Sequence, residues 1–286
     1  MTDKLKAYLA LIRFNKPVGT LLLFFPILFT FLLIDPYFNH LNILLTFALA
    51  AFVMRSIGCI INDLWDIEFD KQVKRTKNRP LASGAVSRYE AFLLLFLLLG
   101  TGLILALNLQ LKTVIFTVLL IIPISIYPLT KRFFKYPQLF LGVTFNTGVL
   151  VASIELSGTI GYHMWILYFA CIFWTIGYDT IYAHQDIKDD KKLGLHSSAI
   201  TFADKSKKAI FTCYVLFFLA LLFLGFEVGF RFGYFVLMQS FALYVLAKIQ
   251  HLDLEEYASC AKFFNRNVLF AIIISSILVI CNFYYT

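Results

Sequence analysis

Nine apolar runs, near residues 18–34, 41–61, 91–109, 113–129, 138–156, 162–182, 209–226, 232–249 and 267–285, occupy most of the chain and are separated by short charged or turn-rich breaks. A helix needs roughly 20 mainly apolar residues to cross the hydrocarbon core of a bilayer. Runs of that length restrict the chain to a bundle of membrane-spanning helices. Composition agrees: of 286 residues, 60% are hydrophobic and only 15% charged, against about 25% charged in soluble domains. A membrane barrel would alternate polar and apolar residues, and the stretch Phe92 to Leu99 does not. The expectation is an all-α, polytopic membrane protein with nine transmembrane helices in a single domain, 1–286.

The net charge of +8 is explained by topology. Of the 25 Lys and Arg, all but Lys112 and Arg231 fall on one side if the N-terminus is cytoplasmic. That is the positive-inside pattern, and it accounts for the charge without a nucleic-acid partner. The first run contains Pro26 and lacks a small-residue cleavage site before Asp35, unlike a signal peptide. We therefore expect a mature N-terminus and the plasma (inner) membrane of a bacterium. Five cysteines, odd in number and widely spaced, read as small buried apolar residues rather than a disulfide or zinc framework.

Carboxylates are scarce, with 17 Asp and Glu in all, and they cluster. One group, Asp63, Asp66, Glu68, Asp70 and Glu90, lies in or near the loop after the second run. The other, Asp179, Asp186, Asp189 and Asp190, ends the sixth. Asn62, Asp66 and Asp70 are spaced i, i+4, so a continuing helix presents an amide and two carboxylates on one face. Like charges so placed repel, and a divalent cation resolves the conflict; hard oxygen ligands with a substrate phosphate suit Mg²⁺. Asp179, Asp186 and Asp190 repeat the pattern at spacings of seven and four. Asp179 sits in an apolar helix end, where a carboxylate is costly.

Basic residues follow each cluster. Lys74 to Arg79 trail the first, and Tyr127-Pro128-Leu129-Thr130-Lys131-Arg132 ends the fourth run. Arginine matches phosphate oxygens bidentately and lysine offers a compact charge. Acids and bases facing one pocket describe a diphosphate site, with Arg79 and Lys131 the strongest basic candidates. No H-E-x-x-H, Walker-type loop or Ser/His/Asp order is present. A transporter or channel is the rival class, because intramembrane acids also mark ion pathways. Its acids would sit near the bilayer midplane in broken helices, whereas these concentrate at one membrane face beside arginines.

The stretch N-D-L-W-D-I-E-F-D-K-Q-V-K-R-T-K-N-R-P-L-A-S-G (62–84) resembles the first aspartate-rich motif of the UbiA-type intramembrane prenyltransferases, and Y-D-T-I-Y-A-H-Q-D-I-K-D-D-K-K-L-G (178–194) is similar to their second. R-F-N-K-P-V-G (13–19), Y-P-L-T-K-R (127–132) and the span count agree, so the resemblance covers nearly the whole chain. It implies helices around a central cavity opening to the cytoplasmic side. Asn62, Asp66 and Asp70 would hold Mg²⁺ and a polyprenyl diphosphate, and Asp186 and Asp190 a second Mg²⁺. Tyr127 and Lys131 fall on the family's Y-x-x-x-K pattern, with Arg132 beside them. Arg75, Arg79, Asp179 and Tyr182 complete the candidate substrate contacts, Asp66, Asp70, Asp186, Asp190 and Lys131 being the catalytic set. Ile67 stands where some relatives carry a basic residue, and Ala82 where a proline is common; neither change removes a ligand.

The wording V-K-R-T-x-x-R-P-L-x-S-G with Y-D-T-x-Y-A points, within the family, to members that prenylate 4-hydroxybenzoate ortho to its hydroxyl in ubiquinone biosynthesis. Naphthoate, haem or chlorophyllide acceptors are the alternatives. The mechanism expected at such a site passes through an allylic cation flanked by aromatic faces, whose negative quadrupole stabilises positive charge; Trp65, Phe69, Tyr178 and Tyr182 are at hand, and Arg79 is the candidate partner for the benzoate carboxylate.

Overall fold

A computed structural model describes residues 3–73 and 75–284, and all regular structure among them is helical. Lys74, one of the basic residues noted above, lies outside the described residues. The chain opens with a short helix, α1 (Asp3–Leu11), followed by α2 (Val18–Ile34), α3 (Leu41–Trp65) and the four-residue α4 (Ile67–Asp70). Next come α5 (Arg88–Ala106), α6 (Leu111–Ile126), a 3₁₀ turn over Tyr127–Arg132, α7 (Pro137–Phe145) and α8 (Thr147–Ser157). The second half holds α9 (Tyr162–Ala183), α10 (Ile187–Lys192), α11 (Ser198–Phe202), α12 (Ser206–Val228), α13 (Phe232–Gln250) and α14 (Tyr257–Tyr284).

Among the described residues, eight segments are long and apolar enough to cross a membrane: Leu41–Trp65, Arg88–Ala106, Leu111–Arg132, Pro137–Ser157, Tyr162–Ala183, Ser198–Val228, Phe232–Gln250 and Tyr257–Phe283. The remaining apolar helix, Val18–Ile34, has 17 residues, about 26 Å at 1.5 Å per residue. The protein is a multi-pass membrane protein. Most helix ends fall within a few residues of the expected runs, but the last helix begins at Tyr257, not near 267. Lys262 and Arg266 interrupt the apolar run but not the helix. Their long stems can lie along the surface while the charged heads reach for water.

α9 is the core of the bundle. Trp174 stacks on Phe217 of α12 at 5.4 Å, and its indole N–H donates to Asn267 Oδ1 of α14 at 2.8 Å. The same oxygen accepts from the Tyr214 hydroxyl at 2.7 Å. α5 and α6 lie at the opposite extreme. Ala91 is the buried residue of α5 and Thr113 that of α6, while Phe92, Phe96, Leu97, Ile115 and Ile122 are exposed. Apolar side chains on an outer face are what a helix in contact with lipid requires.

The fifth expected run is broken into α7 and α8 at Asn146. The Asn146 amide donates to Gly142 O at 2.8 Å, to Cys171 O at 3.2 Å and to Thr175 Oγ1 at 2.9 Å, stitching the break to α9. Irregular backbone is tolerated at membrane depth where protein satisfies its polar groups. The five cysteines are free, and all but Cys213 are buried.

Candidate active site

The two acidic motifs are built alike. α3 ends at Trp65 and α9 at Ala183, and Asp66 and Asp186 each precede a short helix, α4 and α10. Their backbones nearly coincide, at φ −103°, ψ 11° for Asp66 and φ −112°, ψ 2° for Asp186. The continuous helix expected through residues 62–70 is therefore corrected to two helices with a joint at Asp66. The ladder spacing nevertheless persists, because Asp66 N–H donates to Asn62 O at 3.0 Å and Asp70 N–H to Asp66 O at 2.7 Å. In the second motif Asp190 N–H donates to Asp186 O at 2.8 Å.

Arginines knit the motifs together. Arg75, from the loop after α4, donates through Nε to Asp186 Oδ1 at 2.6 Å and through Nη1 to the Tyr182 hydroxyl at 2.9 Å. Its guanidinium lies 5.3 Å from the Tyr182 ring centre, which packs 4.7 Å from Phe264. Arg79 Nη1 donates to Asp70 Oδ2 at 2.8 Å and to Asp63 Oδ1 at 3.0 Å. Arg132 Nη2 reaches Asp66 Oδ1 at 3.3 Å and Trp65 O at 3.1 Å, with its guanidinium 5.2 Å from the Phe69 ring centre. Each of these acids thus faces a guanidinium. Among the described residues no three acids or histidines gather on a single point.

Lys131 is brought to the second motif, its charge acting on both Asp179 and Asp190. Its carbonyl accepts from His196 N–H at 2.8 Å, which pins the 3₁₀ turn to the segment after α10. Burial, against the pull of Lys131 and reinforced by the charge of Asp186, pushes the Asp190 carboxyl up to about 6. Asp70 is also raised, by burial first, with Arg79 opposing and Asp63 adding to the shift. Burial lowers the Arg75 guanidinium, but Tyr182 and Asp186 outweigh it and fix the charge. Asn62 contributes its carbonyl to the joint at Asp66. The side chain of Tyr127 lies outside the described residues.

Three residues of this region were not singled out in the sequence as site residues. Asp63 is buried and bonded to both Arg13 and Arg79. One position past Asn62 on a helix, it turns off the ladder face. Arg55, in α3 and counted above with the basic side, lies with its guanidinium 6.0 Å from the Phe145 ring centre and acts electrostatically on Tyr178 and Asp179. A cation inside an apolar span is itself a signal of function. Gly19 of α2 makes room for it, since a Cβ there would stand 2.7 Å from Arg55 Nε.

The family model described as the UbiA prenyltransferase family matches residues 23–276. The chain belongs to the UbiA prenyltransferase family. Among curated UbiA relatives, a 4-hydroxybenzoate octaprenyltransferase of Neisseria meningitidis serogroup B is 39% identical over 234 residues, 82% of this chain and 79% of that one. One of Methylobacillus flagellatus, with the same name, is 37% identical over 267 residues, 93% of this chain and 90% of its own. An apo UbiA homolog from Aeropyrum pernix K1 shares the fold with a TM-score of 0.75 at 22% identity, over 92% of this chain and 97% of that one. A UbiA homolog from Archaeoglobus fulgidus bound to GPP and Mg²⁺ superposes with a TM-score of 0.71 at 19% identity, over 95% and 99%.

Proposed function

We propose that this UbiA-family protein transfers a polyprenyl group from its diphosphate to the ring carbon ortho to the hydroxyl of 4-hydroxybenzoate, in ubiquinone biosynthesis. The observation that carries the reading is the meeting of two acidic helix ends across Arg75. The curated relatives bear the name of that activity over most of the chain. In this reading nine helices span a bacterial inner membrane around a cavity that opens on the cytoplasmic side, where the N-terminus also lies.

The donor set suits Mg²⁺. Asp66, Asp70, Asp186 and Asp190 with the amide oxygen of Asn62 are hard oxygen ligands of the kind it takes alongside substrate phosphates. Asp66, Asp70 and Asp186 each already turn an oxygen toward a cation in the form of a guanidinium. Mg²⁺, when bound, neutralises the diphosphate as it leaves. The chain's own residues do the rest. Arg75 and Arg132 exchange their carboxylate partners for phosphate oxygens, a trade between like acceptors, Arg79 offers the diphosphate its nitrogens other than Nη1, and Lys131 adds a point charge beside Asp179 and Asp190. The Tyr182 and Phe264 rings flank the position where the allylic carbon acquires charge, and Trp65, Phe69 and Tyr178 offer further aromatic faces. Arg55 stands deeper along α3 and gives a carboxylate-bearing acceptor its counter-ion; Arg79, shared between Asp63 and Asp70, is the second candidate.

The test is an assay of detergent-purified protein with Mg²⁺, labelled 4-hydroxybenzoate and prenyl diphosphates of several lengths, with and without EDTA. A prenylated, EDTA-sensitive product is expected. Transfer that is indifferent to EDTA would remove the metal, and no transfer to 4-hydroxybenzoate with transfer to a naphthoate would replace the acceptor.

A further inference from the structure

Asp63 lies beside the three ladder residues but has a different environment from all of them. Its side chain has no solvent exposure, against 21% for Asp66 and 9% for Asp70. Arg13 Nη2 donates to both of its oxygens at 2.7 Å, and Arg79 Nη1 donates to Oδ1 at 3.0 Å. A carboxylate enclosed in this way has no open face for a metal ion. It is a fixed negative charge inside the first motif.

Arg13 is unusual too. It stands at the left-handed position that closes α1, with φ 59°, where glycine is the common residue. Its Nη1 bonds back to Ala10 O at 2.9 Å while Nη2 reaches Asp63. An arginine adopts this backbone at a steric cost, and the contact that it secures is the one to Asp63. The segment before α2 is thereby tied to the acidic motif through one buried charge.

Arg79 is shared. Among the described residues its hydrogen bonds to Asp63 and Asp70 both run through Nη1. Among the described residues, Nε and Nη2 make no hydrogen bond and can serve another acceptor. Without Asp63, the whole guanidinium would settle on Asp70, removing phosphate donors and tying up a carboxylate of the proposed metal site.

We propose that Asp63, neutralised by Arg13, is a positioning residue that holds Arg79 between the two carboxylates so that its remaining nitrogens meet the diphosphate of the prenyl donor. This rests on the prenyl-transfer reading above and assigns the N-terminal segment a part in diphosphate binding.

Three variants test it: Asp63→Asn, Arg13→Lys and the double variant Arg13→Gln/Asp63→Asn, which removes both charges together. The readouts are KM for prenyl diphosphate, KM for 4-hydroxybenzoate, and the rise in Tm produced by Mg²⁺ with inorganic pyrophosphate. We expect KM for the prenyl diphosphate to rise about tenfold in each, the scale of one misplaced charge-assisted hydrogen bond. KM for 4-hydroxybenzoate stays the same and the pyrophosphate-induced rise in Tm shrinks. A pair needed only for folding gives the opposite result in the double variant, a wild-type KM and a wild-type Tm response, and that overturns the proposal. So does failure of all three variants to fold, which makes the trio a folding element alone. Wild-type protein that responds to Mg²⁺ and pyrophosphate yet leaves 4-hydroxybenzoate unmodified sinks the acceptor reading and leaves the comparison of Tm responses in force.

Discussion

Arg75 Nε lies 2.6 Å from Asp186 Oδ1 and so joins the loop after the first acidic motif to the helix joint of the second. The residues are far apart in the chain, and the contact defines where the two motifs meet. Arg75→Lys keeps the charge but loses the planar fork. We expect kcat/KM for the prenyl diphosphate to fall about a hundredfold, the lower end for losing one preorganised donor, while circular dichroism shows unchanged helix content. Wild-type kinetics in this variant would place the diphosphate elsewhere.

Asp66→Ala and Asp190→Ala each remove a proposed metal ligand from an otherwise intact helix joint. Turnover should be abolished in both, with normal membrane insertion. Raising Mg²⁺ should not restore it. Near-normal prenylation by either purified variant would refute the ligand assignment.

Gly19→Ala places a Cβ 2.7 Å from Arg55 Nε, and the flexible guanidinium must move. Arg55→Ala removes it altogether. Both should raise KM for 4-hydroxybenzoate, by about tenfold for the loss of one charged hydrogen bond, and leave KM for the prenyl diphosphate unchanged. Steady-state kinetics with each substrate varied in turn separates the two effects.

Asn267 Oδ1 accepts from both Trp174 Nε1 and the Tyr214 hydroxyl in the core. Asn267→Leu strands two buried donors, each worth about 1–3 kcal/mol when unsatisfied. A lower Tm in detergent, with KM values unchanged in the folded protein, is the expected outcome. An unaltered Tm would show that water replaces the amide.

Asp35, between α2 and α3, accepts from Asn39 N at 3.0 Å, Asn39 Nδ2 at 2.8 Å and His40 N at 2.8 Å. Burial opposes the charge, but these donors and the His40 ring outweigh it and hold the carboxyl below its ordinary value. A depressed pKa contributes stability above the unfolded value of about 3.9, and that contribution is lost as pH falls through the folded value. Asp35→Asn should therefore be destabilised at neutral pH, and its deficit relative to wild type should narrow below about pH 4. Tm measured across pH 3 to 7 reads this directly; a constant deficit would contradict the assignment.

The amino-acid order by itself determined the class of fold, since apolar runs near 20 residues have one stable form in lipid, and it picked out the acidic motifs because charge is scarce and costly there. Periodicity placed Asn62, Asp66 and Asp70 on one face, and that spacing survives the joint at Asp66. The joint itself was invisible, because i, i+4 spacing is the same in a straight helix and in one that breaks while keeping its backbone bonds. The true start of α14 was hidden for a related reason: Lys262 and Arg266 stop a hydropathy run without stopping a helix. Only the tertiary structure decided which arginine faces which acid. Arg13, Arg55, Arg75 and Arg79 are chemically alike in the sequence and equally consistent with the basic side of a membrane. Their roles come from the packing of α1, α2 and the loop after α4 around α3 and α9, because a guanidinium acts over a few ångströms and no local pattern encodes distances between remote segments.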